Sequence, residues 1–552
     1  MSEKFNRTDP IAGGLLTLLW LFVVFAINPL GNFPLNDDWA YGKAVQSILA
    51  GDFRLTDWAP ASQVAQSLWG ALFCLPAGFS FDALRFSTLV LGWIGVIATY
   101  ALARDMYASW PVALIAALVV LFNPAYLNLA YTFMTDVPFY TFCVLAIVFL
   151  LRGLRRDTNG EMALGTLFAC AATLTRQFAL VLPFAFCLAY VTHYGLRPRR
   201  CIKALVPLAV VLLCLGFYQG WLSASGRLPQ MYSEQAGELV RGYFRADSLA
   251  HVARSLAQAA LYSGLFLFPW LLIPAWASWR ELPLRQRLLY GGGSSLIALA
   301  LFAVVAAGRP LLPDGLIPYI FGGVLFDFGI GFPILKDTFT LWLPHMPKGP
   351  VLFWVGVTVV GIFGAALIAY FSLLAIERRP RAWTAVFALT GSLAYFLLIA
   401  TRTASYDRYF LFFLPLLIVL ALAQPATVSL KQDGILLALC LVLSTAYGVF
   451  STAAVHDYLA WNRVRWQALR AGMAAGRLTP ANTDGGFEFN GWYNYDPRYK
   501  ATPGKSWWWV DRDDYTVAFG PIAGYALYER YPFERWLPVG ASQVLILRRT
   551  TP

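Results

Sequence analysis

Three aspartates stand where apolar runs meet polar chain. Asp37 and Asp38 lie in Pro34-Leu-Asn-Asp-Asp-Trp-Ala-Tyr41, directly after the first long apolar run. Asp136 lies in Tyr131-Thr-Phe-Met-Thr-Asp-Val-Pro-Phe139, directly before a later run. Ionised groups beside lipid are costly unless they have a partner or a task. An aspartate at such a place can take a proton from a hydroxyl or amine while that group attacks an activated carbon, which is worth roughly 10²–10⁴ in rate. The adjacent pair repels itself, which favours keeping one of the two protonated. Tyr41 follows Asp37 by one helical turn and shares its face. A plainer reading stays open. Acids favour the first turn of a helix, and Asp136 before Val-Pro suits an N-cap with Pro138 in the first turn. That reading does not explain why all three acids fall on one membrane face in the topology below.

Cations share that face: Arg176, Arg241, Arg245, Lys336, Arg402 and Arg408. Arg176 lies between two short apolar runs, where a guanidinium needs an anion. A phosphate leaving group would supply one, and the cations would stabilise its developing charge. An ion pair with Asp136 or Asp407 would serve equally.

The elements that must position these groups are membrane helices. Of 552 residues, 59% are hydrophobic and only 13% charged, against about a quarter charged in a soluble protein. Apolar runs near 20 residues recur along the chain, and Trp and Tyr gather at their ends. We count about 13 spans: 11–30, 83–103, 110–127, 137–152, 162–177, 179–194, 203–223, 257–278, 288–307, 351–374, 382–400, 408–424 and 434–453. Basic residues concentrate in alternate loops: Lys4/Arg7, Arg104, Arg152/Arg155/Arg156, Arg197/Arg199/Arg200/Lys203, Arg280/Arg285/Arg287, Arg378/Arg379/Arg381 and Lys431. The positive-inside bias makes that side cytoplasmic. The N-terminus is then cytoplasmic, and loops 31–82, 224–256 and 308–350 and the tail from about 454 are outside. The net charge of +12 is spent on these orienting loops, which argues against a nucleic-acid partner. The first run is read as a retained span, not a cleaved signal peptide. Seven cysteines, none after Cys440 and none in CxxC, and four scattered histidines give no metal site and imply no cofactor.

Within loop 31–82, residues 36–50 fit a short helix with Asn36 as N-cap. Residues 63–75 fit an amphipathic helix lying in the interface. The tail alternates polar and aromatic residues at 487–495, 515–519 and 543–548, which reads as a small extramembrane domain with several strands. Two domains follow: a membrane domain at 1–453 with outer-face loop helices, and an outer C-terminal domain at 454–552.

Asp37-Asp38-Trp-Ala-Tyr41, Thr135-Asp136-Val-Pro138, Leu174-Thr-Arg-Gln177 and Arg408-Tyr-Phe-Leu-Phe-Phe-Leu-Pro415 together resemble the GT-C class of integral-membrane glycosyltransferases. The nearest resemblance is to the group joining protein O-mannosyltransferases with the aminoarabinose transferases of lipid A. The resemblance implies an α-helical polytopic fold with a small α/β C-terminal domain. It also implies inverting transfer of a sugar from a polyprenyl-phosphate donor, at the outer face of a bacterial inner membrane, to an envelope lipid, glycan or protein. By motif position, Asp37 matches the acid taken as base and Asp136 the second functional acid, with Asp38 beside them. Tyr41, Arg176, Gln177, Arg402 and Arg408 become substrate-binding candidates. Ala40 stands where lipid A-type relatives carry arginine, and residues 60–66 lack their Lys-Pro-Pro segment, so sugar and acceptor stay open. The alternatives are a transporter, or a flippase or polymerase of lipid-linked glycans. Transporters place charges near the midplane in repeated halves, whereas these acids sit at span ends and no repeat is visible.

Overall fold

The computed structural model describes residues 8–550 apart from 60–61, 246–247, 308–350, 378–381, 403–405, 425–429, 502, 504, 507 and 539. The expected outer loop 308–350 with Lys336, and the orienting residues Lys4, Arg7, Arg378, Arg379 and Arg381, lie outside the described residues. The chain opens with α1 (Thr8–Ile27), α2 (Asp38–Leu49), α3 (Val64–Cys74), α4 (Phe81–Asp105), α5 (Trp110–Leu121) and α6 (Pro124–Ala130). It continues with α7 (Asp136–Arg156), α8 (Asn159–Thr175) and α9 (Val181–Tyr194). Among the described residues nine helices are long and apolar enough to cross a membrane, or ten if α5 and α6, bent by 63°, form one span. The chain is a multi-pass membrane protein, but by this measure the expected thirteen spans are not reached.

One departure has a clear cause. The span expected at 408–424 is a 3-10 turn at Asp407–Phe412 followed by the helix Phe413–Leu422, every residue of which is buried. Protein, not lipid, therefore covers this segment. An apolar run reads alike in sequence whether lipid or protein covers it.

Breaks in the bundle are satisfied internally, as backbone in lipid requires. Between α5 and α6, Asn123 accepts from the N–H groups of Ala125 and Tyr126 at 2.9 and 3.0 Å, and Pro124 needs no partner. The freed carbonyl of Phe122 accepts from Ser451 Oγ at 2.7 Å. Helices Ser248–Glu281 and Val351–Glu377 cross so closely that a methyl group on Gly264 or Gly364 would strike the other's backbone. Small residues permit such approaches between membrane helices.

The two ends of the bundle differ. At one, helix termini are joined by Arg104–Asp9 (2.7 Å), Arg152–Asp105 (2.5 Å), Lys203–Asp157 (2.7 Å) and Arg280–Asp433 (3.0 Å). At the other lie α2, α3 and the C-terminal sheet. The helix Leu430–Ala474 links them with 45 residues, about 68 Å long and more than twice the hydrocarbon thickness. It passes residue 454 without a break and carries Arg463, Arg465 and Arg470 beyond the apolar part.

The sheet contains β1 (Thr483–Asp484), β2 (Tyr515–Ala518), β3 (Tyr525–Pro532) and β4 (Gln543–Arg549) in the order β1-β2-β4-β3. β1 runs parallel to β2, and the remaining pairs are antiparallel with Val517 opposite Ile546. Strands were expected at 515–519 and 543–548, and strands form there. Residues 487–495 were also expected to be extended, but Phe487–Asn494 is helical. Its aromatics pair at helical spacing, Phe489 on Tyr493 with centroids 4.9 Å apart. Asn490 also holds the preceding turn through the Gly485 N–H and the Asp484 carboxylate.

Glu488 on this helix meets Arg465 at 2.9 Å with both side chains fully buried. Removing one member of such a pair leaves an uncompensated charge, at a cost of about 3–5 kcal/mol. Arg465→Met should therefore lower the apparent Tm of the detergent-solubilised protein by several degrees. A thermal-shift measurement checks this.

Candidate active site

The loop that delivers Asp37 is irregular, and its carbonyls are held one after another by arginines. Arg463 donates to Asn28 (2.8 Å) and Leu30 (3.3 Å), Arg470 to Gly31 (3.4 Å) and Asn32, and Arg85 to Pro29 and to Phe33 (2.8 Å). The N–H groups of Gly31 and Asn32 donate to Asp82 at 3.0 and 2.8 Å. Asn28, Asn32 and Asn36 take φ of 58°, 46° and 57°, the left-handed region that asparagine tolerates best after glycine. Asn36 is thus not the N-cap expected for α2. Asp37 holds that position without a side-chain cap bond, and the Asn36 N–H donates to Glu488 at 3.0 Å.

A second set of bonds draws the two acid-bearing segments together. Asp38 accepts from the Leu35 N–H at 3.1 Å and from the Phe133 N–H at 2.7 Å. Arg85, 1% exposed, also donates to the Tyr131 carbonyl at 2.8 Å, and Gln66 of α3 donates to the Phe133 carbonyl. Each Asp38 oxygen is therefore engaged by backbone. These bonds hold the Asp38 carboxylate between the two segments.

Asp37 and Asp136 are brought within electrostatic reach of each other and of Arg176, Arg408 and Tyr41. Asp136, 2% exposed, opens α7. It faces Arg176 at 2.9 Å and Arg408 at 3.9 Å, yet neither of its oxygens accepts a hydrogen bond. Arg176 sits in an extended kink (φ −145°, ψ 124°) between α8 and the 3-10 turn Gln177–Leu180, and its Nε donates to Thr135 at 2.7 Å. Arg408 lies over Tyr406 at 4.5 Å and Tyr409 at 5.8 Å, and its buried Nε has no hydrogen-bond partner among the described residues. Arg402 lies over Tyr409 (5.4 Å) and Phe178 (5.7 Å). Gln177 opens its turn half-buried, outside the ion pairs. Among the described residues, no three His, Cys, Asp or Glu side chains come together in a way that could hold a metal ion.

Asp37 is half-buried and accepts from the Trp58 indole N–H at 2.9 Å. Burial pushes its carboxyl above the usual range. Arg408 and the Trp58 N–H oppose that rise, Asp136 adds to it, and Arg176 opposes it. Burial also holds the Tyr41 phenol protonated.

The wall behind Asp37 comes from the C-terminal domain. Trp39 of α2 packs on Phe487, Tyr495 and Trp509 with centroids at 5.8, 5.0 and 5.2 Å. A methyl group on Gly491 would collide with the Trp39 ring, and the Gly491 carbonyl accepts from Lys43 at 3.2 Å. Sequence reasoning missed Arg85, Trp58, Thr135 and Glu488. Arg85 carried a signal, a cation two residues inside an apolar run. Trp58, one aromatic in a polar loop, carried none.

Residues 59–223 match the dolichyl-phosphate-mannose-protein mannosyltransferase family. The fold is similar to that of ArnT from Cupriavidus metallidurans bound to undecaprenyl phosphate, with TM-score 0.50 and 12% identity over 99% of each chain. The chain has the GT-C fold. The apo form of the same ArnT gives TM-score 0.47 at 13% identity over 97% of each chain. An oligosaccharyltransferase from Archaeoglobus fulgidus, in complex with zinc and sulfate, gives 0.43 at 13% identity over 82% of this chain and 54% of that one. No curated protein sequence matches. In this chain the acids, the arginines and the aromatic wall all lie at the bundle end that carries the C-terminal sheet.

The raised Asp37 carboxyl has two measurable consequences. For any step in which Asp37 takes a proton, activity is lost as pH falls through its raised pKa, so the acid limb of kcat/KM would lie above the ordinary carboxylate value of about 4. A group whose folded pKa is raised stabilises the fold fully only below its unfolded pKa, and that contribution is lost as pH rises. Asp37→Asn should accordingly match or exceed the parent Tm at pH 7, as read by thermal shift.

Proposed function

We propose that this chain transfers a sugar from a polyprenyl-phosphate-linked donor to an envelope lipid, glycan or protein, with inversion at the anomeric carbon. What most supports the reading is Arg408, a buried guanidinium whose Nε lacks an acceptor, beside an acid pair that neutralises it only in part. A phosphate monoanion fits such a place, since guanidinium and phosphate match in geometry and charge. Arg176 and Arg402, stacked on Tyr409 from other directions, complete the cationic side.

In this reading Asp37 accepts the proton of the acceptor hydroxyl as its oxygen bonds to the anomeric carbon. The bond from that carbon to the phosphate oxygen breaks in the same displacement, and the polyprenyl phosphate leaves with the electron pair. Arg408 and Arg176 receive the charge that develops there. Asp136 holds both arginines in place and orients the sugar, while Tyr41 offers its phenol to donor or acceptor. Asp38 has a positioning role. Gln177 follows Arg176 closely enough to contact the donor. The prenyl chain lies among the bundle's apolar surfaces, where each CH₂ buried contributes about 0.8 kcal/mol. The site faces the periplasm of a bacterial inner-membrane protein, with the N-terminus cytoplasmic, since the short loops rich in lysine and arginine lie at the opposite end.

A radiolabelled prenyl-phosphate sugar in reconstituted vesicles tests the assignment. The parent should move label onto an acceptor, and Asp37→Asn should lose at least 10²-fold in that rate while still binding donor. Label that crosses the bilayer without changing its lipid linkage would make the protein a transporter. Turnover at parental rate in Asp37→Asn would remove Asp37 from its role.

A further inference from the structure

Among the described residues the Trp58 indole is the one side chain donating a hydrogen bond to Asp37, and its surroundings come from the far end of the sequence. The N–H lies 2.9 Å from Asp37 Oδ1. The ring is set by Trp39 at 6.1 Å and by four aromatics of the C-terminal domain: Trp509 at 5.2 Å, Phe487 at 5.8 Å, Trp508 at 6.1 Å and Tyr495 at 6.3 Å. Three of those contacts, with Tyr495, Trp508 and Trp509, are edge-on, an arrangement that fixes the plane of a ring as well as its place. Trp508 and Trp509 are themselves buried, at 7% and 6% exposure. Their segment is tied back by Tyr499, whose hydroxyl donates to the Val510 carbonyl at 2.7 Å. The indole is therefore locked, and with it the carboxylate oxygen it touches.

We infer that Trp58 is a positioning residue for the base, through which the docked C-terminal domain sets the orientation of the Asp37 carboxylate. Its bond occupies one oxygen and leaves the other to meet the acceptor. Packing alone would not require the N–H, because a bicyclic ring of the same shape without one would fill the same space. The inference rests on the reading of Asp37 as base and adds that the aromatic wall acts on catalysis and not only on stability.

Groups that bear on the Asp37 carboxyl are Arg408 and Tyr406 from the 406–412 region, Asp136 from α7, Arg176 from the α8 kink, and Asp38 and Tyr41 from α2. None of these changes when Trp58 is altered, so a pH profile isolates the indole. The N–H favours the ionised carboxylate, and its loss moves the acid limb to higher pH.

The experiment uses the full-length protein in vesicles with the labelled prenyl-phosphate sugar. Trp58→Phe should lower kcat about tenfold or more, leave the donor KM within twofold and shift the acid limb of kcat/KM upward. Replacing Trp58 by benzothienylalanine keeps the ring shape and removes only the N–H, so it decides the matter if Trp58→Phe folds poorly. It should reproduce the same loss and shift. Parental kcat with an unmoved acid limb in the benzothienylalanine protein overturns the inference. Asp37→Asn run alongside separates the two ideas. If it is inactive while the Trp58 variants are normal, only the positioning role fails; if it is active, the assignment of the base fails instead.

Discussion

The site depends on a single buried guanidinium. Arg85 enters from the second turn of α4 and binds three carbonyls, those of Pro29, Phe33 and Tyr131. Two belong to the loop before Asp37 and one to the loop before Asp136, so one side chain fixes the relation between the acids. Asp38 does the converse with N–H groups, at Leu35 and Phe133. Irregular backbone near lipid must find its partners inside the protein. A charged pair of complementary donor and acceptor capacity is an economical way to supply them. Both side chains are buried, which is tolerable because each is hydrogen-bonded and each compensates the other.

Much of the bundle was legible in the sequence because hydrophobic runs and loop charges report physical necessities of a bilayer. The acids and arginines were legible for the same reason, since a charge at a span end needs explaining. What failed has a common origin. The alternation at 487–495 is a pattern of apolar residues without its surroundings, and the surroundings decide: it packs as a helix against Trp39. Asn36 was misread because an asparagine before two acids suits a cap and a left-handed turn equally well. The backbone partners of Asp38 were not legible either, because neighbouring carboxylates look alike in sequence until their hydrogen bonds are known.

Charge and aromatic packing divide the labour around Asp37. Arginines from α4 and from the long helix Leu430–Ala474 hold its backbone, while the indole of Trp58 holds its side chain. Arg176 and Arg408 stack on the same ring, Tyr409, although like charges repel. The ring faces and the intervening Asp136 make that proximity acceptable. Two cations held close in this way present a concentrated positive field to an entering anion without reorganising first.

The Asn36–Glu488 bond spans 452 positions of sequence, and this separation bears on biogenesis. Residues 8–245, which carry both acids and Arg176, enter the membrane early in synthesis. The glutamate and the tryptophans that brace them emerge last. Contacts of such long range form slowly. The nascent protein thus holds its buried acids for most of its synthesis without the scaffold that aligns them, and that scaffold arrives only with the final eighth of the chain.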